Sequence, residues 1–171
     1  MTRHYDSYAV GQPMDSKILV PGGFINMADV EIGMDIFGEN GDIYKVYRIY
    51  PKGRKTIYTL TFEDGSIVKC SNDHLWSVIA YDKDTKKFSS PLVLSSVQIR
   101  RYNKYTYYVP GVNIGKIKYG RRKIVSIEAG NQRICQCIMT TNPSSLYITD
   151  GYIPTHNFNF VANRGECIGF I

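Results

Sequence analysis

The alternation of apolar and polar residues is clearest in residues 56–71, TIYTLTFEDGSIVKCS. Two runs rich in β-branched and aromatic residues flank Glu63-Asp64-Gly65. Asp-Gly is a frequent pair at the tip of a tight hairpin, and a period of two is typical of a strand with one buried face. The stretch therefore predicts an antiparallel hairpin.

Turn residues divide the rest of the chain into further short β-type runs. In chain order, these are an apolar run at 16–20 stopped by Pro21-Gly22-Gly23, one helical turn at 27–33, a strand with a turn at Asn40-Gly41, a bent strand at 42–51, an alternating strand at 123–142, and a hairpin at 144–157 with Asp150-Gly151 at its tip. No amphipathic helix longer than about three turns is indicated. The sequence predicts an all-β chain of irregular, strongly bent strands.

The composition fits one globular domain. The chain has 171 residues, of which 43% are hydrophobic and 21% are charged, as is typical of a protein with a buried core. No apolar run approaches the roughly 18–20 residues that a membrane-spanning helix needs. The N-terminus, MTRHYDSYAVGQ, lacks the apolar segment of a signal peptide. We expect a cytoplasmic monomer that contacts no membrane and needs no metal or other cofactor.

Four cysteines, Cys70, Cys135, Cys137 and Cys167, fit neither a disulfide framework nor a zinc site. Cys135 and Cys137 are poorly spaced for bridging along one strand, and the paired C-x-x-C spacing is absent. Reduced thiols are therefore expected. Cys70 fits a core position on an apolar strand. Cys135 shares a strand face with Cys137 under a period of two, and a redox role for it stays open.

A basic stretch between residues 100 and 123 carries much of the net charge of +6. It contains no acidic residue and interleaves tyrosines with lysines and arginines, as in RRYNKYTYYVPG. Phosphate contacts and base stacking would suit such a stretch to binding nucleic acid. The alternative, which we favour, is a solvated hairpin whose Lys and Arg side chains discourage edge pairing.

Three histidines occur, His4, His74 and His156. His4 lies near the N-terminus, where a functional role is not expected. His74 follows a predicted strand end in CSNDHLW and suits either a surface or a catalytic position. His156 precedes Asn157, and an asparagine side-chain nitrogen can attack its own backbone carbonyl and cut the chain.

Three separated blocks of the sequence resemble those of inteins, members of the Hint (hedgehog/intein) fold. Residues 16–42 resemble the opening block, residues 65–78 (GSIVKCSNDHLWSV) the second block, and residues 137–157 the two terminal blocks that end in His-Asn. Their order and spacing make the resemblance specific. It implies a Hint horseshoe of long, bent β-strands that acts on its own flanking segments, the exteins, rather than on nucleic acid.

The chain departs from the commonest inteins at the first residue of the domain. Those begin with Cys or Ser, whereas alignment of GQPMDSKIL places Gly11, which has no nucleophile, at that position. Class 3 inteins instead use a Trp, a Cys and a Thr in later blocks, and Trp76, Cys137 and Thr155 stand at those positions. The resemblance therefore implies a class 3 intein rather than a degenerate ordinary one.

The resemblance also implies the upstream chemistry. Cys137 is expected to attack the carbonyl of Val10, to break the Val10–Gly11 bond and to form a thioester. His74 is suited to protonate the departing nitrogen. Trp76 is expected to pack beside Cys137 and orient it, and Thr155 to hydrogen-bond to the nucleophile or the junction.

At the downstream end, Asn157 is expected to cyclise to a succinimide and cut the Asn157–Phe158 bond with help from His156. Phe158 stands where a Ser, Thr or Cys acceptor is needed. Either cleavage occurs without ligation, or Phe158 is a substitution that traps a precursor. Ser145 stands near the place of the family's frequent helper histidine, so the helper of Asn157 is absent or differs.

The expected organisation is an extein flank at 1–10, an intein domain at 11–157 and a second extein flank at 158–171. The domain has the length of a minimal intein, with no room for a homing endonuclease. Three rival functions stay open. They are a basic β-rich module that binds nucleic acid, a hydrolase that uses Cys137 and His74 on other chains, and a hedgehog-type self-processor, which has no need of Asn157.

Overall fold

The computed structural model describes residues 11–157, in which strands are the main secondary structure. The strands are β1 (Gln12–Pro13), β2 (Lys17–Val20), β3 (Gly23–Asn26), β4 (Asp35–Phe37), β5 (Ile43–Phe62), β6 (Ile67–Ser71), β7 (Leu75–Asp82), β8 (Lys87–Phe88), β9 (Leu92–Ser95), β10 (Tyr105–Val109), β11 (Val112–Ile114), β12 (Ile117–Tyr119), β13 (Arg122–Thr140), β14 (Leu146–Thr149) and β15 (Ile153–His156). One α-helix, α1 (Ser96–Arg101), and two 3₁₀ turns, Met27–Asp29 and Asp150–Tyr152, complete this part of the chain. None of the helices within it is long and apolar enough to cross a membrane. The predicted all-β class is confirmed.

The two longest strands, β5 and β13, pair antiparallel along most of their length. Their register slips at several points, including Cys135/Gln136 and Met139/Thr140. Each slip leaves an unmatched residue, which bends the strands and increases their twist. The middle of β13, residues 128–132, is exposed, whereas its last residues, 135–140, are buried. The pairing of β5 with β13 therefore places the C-terminal end of β13 in the core.

The connections between strands bring the two ends of the described chain together. The first sheet has the order β4-β5-β13-β10-β7-β8, with β6 on β5, β9 on β7 and β1 on β13. Strand β1 lies along the C-terminal end of β13 through the pairs Gln12↔Gln136 and Pro13↔Cys135. A second sheet, β15-β14-β2-β3, joins the first strands to the last ones. Residues 11 and 157 therefore approach the same region of the fold.

Two hydrophobic clusters hold the strands that reach this region. Trp76 and Phe62 belong to the larger cluster, and Ile18 and Ile138 belong to the second. All four side chains are at most 1% exposed. Because full burial of a large apolar side chain contributes about 1.5–3 kcal/mol, these clusters fix the positions of the strand ends.

The observed elements extend the predicted ones. The turn at Asp64-Gly65 joins β5 to β6, with Gly65 at φ 87°, and the predicted hairpin is confirmed. The bent strand predicted at 42–51 is the first half of β5, which continues to Phe62. The register passes from Pro51 to Gly53 and skips Lys52, so the Pro-Lys-Gly sequence forms a bulge instead of ending the strand.

The basic stretch at 100–123 contacts aromatic rings of the same chain. Lys104 Nζ lies 4.9 Å from the ring centroid of Tyr105, and the guanidinium of Arg122 lies 3.8 Å from that of Tyr119. Arg122 is also buried and pairs with Asp64 at 3.2 Å. These cations are therefore engaged in cation–π and ionic contacts within the fold.

Candidate functional site

The first described residue, Gly11, is held by both of its backbone polar groups. Its carbonyl oxygen accepts a hydrogen bond from the backbone N–H of Ser71 at 2.8 Å. Its N–H donates to Nδ1 of His74 at 3.0 Å. Both partners belong to the sequence SNDH, which connects β6 to β7. This connection therefore fixes the nitrogen of Gly11 against one imidazole.

The next residue, Gln12, connects β1 to the hairpin of β14 and β15. Its side chain is fully buried. Nε2 donates to Oγ1 of Thr149 at 3.0 Å, and Oε1 accepts from the hydroxyl of Tyr147. Leaving such a buried amide without partners costs about 1–3 kcal/mol, so the network holds β1 in one position. Sequence analysis missed Gln12, because a single polar residue beside a proline carries no distinguishing pattern.

His74 lies between the two ends of the described chain. Its ring is fully buried, and Nε2 lies 2.5 Å from Oγ1 of Thr155 on β15. Because Nδ1 accepts the N–H of Gly11, the ring proton of the neutral imidazole is on Nε2 and is donated to Thr155. Burial, reinforced by the charge of nearby His156, lowers the pKa of His74 to about 3. At pH 7 a neutral imidazole therefore presents an unprotonated, accepting nitrogen to Gly11.

Trp76 supports His74 rather than the thiol of Cys137. Its ring is edge-on to the imidazole, with 5.3 Å between centroids. Nε1 donates to Oγ of Ser96 at 2.9 Å, and the N–H of Ser96 donates to the carbonyl of His74 at 2.9 Å. The expectation that Trp76 packs beside Cys137 is corrected, since the two lie in different hydrophobic clusters. Successive side chains of a strand face opposite ways, and Leu75 shares the cluster of Cys137 instead.

Two buried thiols flank Gln136, the residue that pairs with Gln12 of β1. Cys137 is 1% exposed and follows Gln136, which pairs with Gln12 of β1. Cys135 precedes Gln136 and pairs with Pro13. A side chain at residue 11 would bring its Cβ within 3.3 Å of the Cβ of Cys135. Burial raises the pKa of the Cys135 thiol to about 11.

The downstream end is fixed by three hydrogen bonds of Asn157, which is buried. Its backbone N–H donates to the carbonyl of Ser145 at 2.6 Å, and its side-chain Nδ2 donates to Oγ1 of Thr140 at 2.7 Å. Its carbonyl oxygen lies 2.7 Å from Nδ1 of His156. Burial lowers the pKa of His156 to about 4, so its ring is neutral at pH 7. Because a carbonyl oxygen only accepts, Nδ1 of His156 carries the proton and donates it.

The structure brings the site residues that the sequence indicates into one region. Hydrogen bonds connect His74 to Gly11 and Thr155, and His156 to Asn157. Four residues named in the sequence analysis, His4, Val10, Phe158 and Cys167, lie outside the described residues. Cys70 is a fully buried core residue, as predicted.

Ser96 and Thr140 are further contacts that sequence analysis missed. Ser96 begins α1, and the helix is marked by a capping box between Ser95 and Gln98. The pattern Ser-x-x-Gln before an apolar residue is a recognisable helix start. Helix α1 could therefore have been predicted from the sequence. No pattern in the sequence distinguishes Thr140 from the neighbouring Thr141.

Comparison with known proteins identifies the fold. No protein-family model and no curated protein sequence matches the chain. The solved structure of the Msm DnaB1 intein splicing domain bound with zinc has a TM-score of 0.66 and 19% identity, covering 85% of this chain and 99% of that one. The gp41-1 intein gives 0.65 and 19%, with 87% and 99% covered. The DnaB intein from Synechocystis sp. PCC 6803 gives 0.62 and 18%, with 87% and 99% covered. The chain has the all-β fold of inteins.

Proposed function

We propose that residues 11–157 are an intein that cuts itself from its flanking segments by class 3 chemistry. The observation that carries the proposal is the hydrogen-bonded path from the N–H of Gly11 through His74 to Thr155, two residues before Asn157. A segment that severs both of its ends needs those ends at one site. The likeness to solved inteins supports the same conclusion.

In the upstream step, the thiol of Cys137 attacks the carbonyl carbon of Val10. A C–S bond forms, the C–N bond between Val10 and Gly11 breaks, and the proton of the thiol must reach the departing nitrogen. Nδ1 of His74 lies 3.0 Å from that nitrogen and is unprotonated, since burial lowers the pKa of His74 to about 3. In this proposal Nδ1 of His74 takes up the thiol proton and then gives it to the amine. It acts first as a base and then as the acid that the sequence suggests.

Thr155 and Trp76 act through His74. The hydroxyl of Thr155 accepts the Nε2 proton and so selects the tautomer in which Nδ1 is basic. The ring of Trp76 lies against the imidazole, and its hydrogen bond to Ser96 holds it there. We therefore assign both as positioning residues.

Phe158 determines the fate of the thioester that the upstream step leaves. A thioester on Cys137 transfers its acyl group to a nucleophile, and the side chain of Phe158 has none. Water or an added thiol then takes the acyl group. The expected outcome is cleavage of the upstream bond without ligation of the flanks.

In the downstream step, Nδ2 of Asn157 attacks the carbonyl carbon of the same residue. A succinimide forms, the C–N bond to Phe158 breaks, and a proton from Nδ2 ends on the Phe158 nitrogen. Negative charge develops on the carbonyl oxygen, which lies 2.7 Å from Nδ1 of His156. A donor preorganised in this way is worth about 2.7–4 kcal/mol of barrier. We assign His156 as the oxyanion donor.

Burial favours self-processing over action on other chains. His74, Cys137 and Asn157 are at most 2% exposed. An added peptide has no open approach to these groups, whereas residues 11 and 157 already lie among them. This disfavours the alternative of a Cys-His hydrolase that acts in trans.

Intact-mass analysis of the purified full chain, with and without added thiol, tests the proposal. Wild type is expected to release both flanks, Cys137→Ala to cleave only downstream, and Asn157→Ala to cleave only upstream. Cys135→Ala is the matched control, because it removes the other thiol beside Gly11, and it is expected to behave as wild type. The same pattern of cleavage in all four chains contradicts the proposal. Loss of upstream cleavage in Cys135→Ala alone would move the nucleophile to that residue.

A further inference from the structure

Thr140 holds the nitrogen that must attack in the downstream step. It is the last residue of β13 and is buried. Its Oγ1 accepts a hydrogen bond from Nδ2 of Asn157 at 2.7 Å. The same oxygen lies 3.4 Å from the backbone N–H of Asn142, a longer contact. The hydrogen bond to Asn157 is therefore the closer contact of this hydroxyl.

We propose that Thr140 is a catalytic residue of the downstream step, whose hydroxyl oxygen positions Nδ2 of Asn157 for attack. The inference rests on the proposed function, because it assigns the helper for the cyclisation of Asn157. The family's helper histidine has no counterpart here, since Ser145 stands near its place. In the structure, Ser145 holds Asn157 through its backbone carbonyl, at 2.6 Å. Thr140 is the residue whose side chain contacts the attacking nitrogen.

Three hydrogen bonds together prepare the ring closure. The backbone N–H of Asn157 is held by Ser145, its carbonyl oxygen by His156 and its Nδ2 by Thr140. The electrophile and the nucleophile of one residue are thus both fixed before reaction. Holding reacting groups in position in this way removes entropy that the transition state would otherwise lose.

The oxygen of Thr140 also suits the change that occurs at Nδ2. As Nδ2 bonds to the carbonyl carbon, its N–H becomes more acidic, and a hydrogen bond to an accepting oxygen strengthens. One N–H proton leaves Nδ2 and one proton is gained by the nitrogen of Phe158, so the protons balance within the reaction. Interactions that strengthen in the transition state lower the barrier. The hydroxyl oxygen therefore contributes to the rate as well as to the geometry.

Rates of both cleavages in the full chain, followed by intact mass, test the role of Thr140. Thr140→Val keeps the shape of the side chain but removes the acceptor. It is expected to slow downstream cleavage about tenfold or more while upstream cleavage keeps its rate. Thr140→Ser restores the acceptor and is expected to restore the rate and the succinimide product, which is one water lighter than the hydrolysed chain. Thr141→Val is the matched control, since its hydroxyl accepts from the backbone of Lys45 instead.

The possible outcomes separate this inference from the proposed function. Downstream cleavage at the wild-type rate in Thr140→Val overturns the role of Thr140, while the intein assignment stands. Equal slowing of both cleavages in Thr140→Val, or equal slowing of downstream cleavage in Thr141→Val, shows a structural effect and also overturns it. Wild-type chain that never cuts the Asn157–Phe158 bond overturns the downstream part of the proposed function and the inference with it.

Discussion

The two buried histidines hold opposite ends of the described segment, Gly11 and Asn157, through opposite hydrogen-bond roles. At the upstream end, Nδ1 of His74 accepts the N–H of Gly11. At the downstream end, Nδ1 of His156 donates to the carbonyl oxygen of Asn157. Burial lowers both pKa values, to about 3 and about 4, so both rings are neutral at pH 7. The two rings therefore differ in tautomer and not in charge.

In the proposed function, this difference lets the same type of side chain serve two kinds of step. The proposed upstream cleavage requires a proton to reach the nitrogen of Gly11, and the neutral ring of His74 has an unprotonated nitrogen beside it. The downstream carbonyl needs a dipole that stabilises its oxygen, and His156 presents an N–H. The partner of each ring sets its role, because Thr155 accepts the proton of His74 on the far nitrogen.

Replacing each histidine with alanine is expected to give the largest effects, and each replacement is expected to slow only one of the two cleavages. His74→Ala is expected to slow upstream cleavage by about 10²–10⁴-fold through loss of proton transfer, with downstream cleavage retained. His156→Ala is expected to slow downstream cleavage by about 10²–10³-fold through loss of the oxyanion donor, with upstream cleavage retained. Time-resolved intact mass gives both rates in one sample. If either variant slows both cleavages equally, the two ends are one coupled unit and the comparison fails.

The two histidines are expected to contribute equally to the loss of folding stability in acid. Both have an ordinary pKa of 6.5 when unfolded and a folded value near 3 or 4. Below pH 6.5 the unfolded chain binds more protons, so stability is complete above that pH and falls with acidification. From pH 7 to pH 5, each histidine is expected to lower the free energy of unfolding by about 2 kcal/mol.

Urea unfolding of the uncleaved double variant Cys137→Ala/Asn157→Ala measures this dependence. Adding His74→Gln or His156→Gln is expected to remove about half of the slope attributed to the two histidines, by the same amount for each. A free energy of unfolding that stays flat between pH 7 and pH 5 contradicts the burial of two neutral imidazoles.

Local sequence was sufficient for the hairpins and insufficient for the long strands. Asp64-Gly65 marks a turn through its own backbone preference, and the structure has that turn. Pro51-Lys52-Gly53 carries the same kind of local signal, yet β5 continues through it. Pairing with the whole of β13 outweighs the local preference, and the misfit remains only as the skipped Lys52. Pairing between residues distant in sequence decided this element, and local pattern does not contain that information.

In the candidate site, too, some positions could be predicted from the sequence and others could not. The resemblance indicated His74, Thr155, His156 and Asn157, and the structure brings these into one region. The position of Trp76 relative to Leu75 follows from strand alternation, and applying that rule to residues 74–76 would have placed Trp76 with His74. The contact of Thr140 with Asn157 depends on how β13 ends, and nothing in the sequence around a single threonine predicts it.

Glutamine at each histidine sharpens the comparison by separating hydrogen bonding from proton transfer. A glutamine amide can donate to the carbonyl of Asn157 but cannot carry a proton from a thiol to an amine. His156→Gln is therefore expected to keep downstream cleavage within about tenfold of wild type. His74→Gln is expected to be as slow upstream as His74→Ala. The cleavage rates of all four variants decide the matter, and equal losses in the two glutamine variants would remove the distinction between the two roles.

Substitution of Trp76 by phenylalanine is expected to give the smallest effect and to fall only on the upstream side. The smaller ring can still face the imidazole of His74, but the hydrogen bond from Nε1 to Ser96 is lost. Loss of one such bond is worth a factor of about threefold in upstream rate, because Ser96 also donates its backbone N–H to the carbonyl of His74 and so still holds the turn. Ser96→Ala removes the same bond from the other side, together with the contacts of its Oγ to the carbonyl of His74 and the thiol of Cys70. The double variant should therefore be no slower than Ser96→Ala alone. Additive losses would mean that the two side chains act independently. Slowing of downstream cleavage would mean that Trp76 does not act through His74 alone.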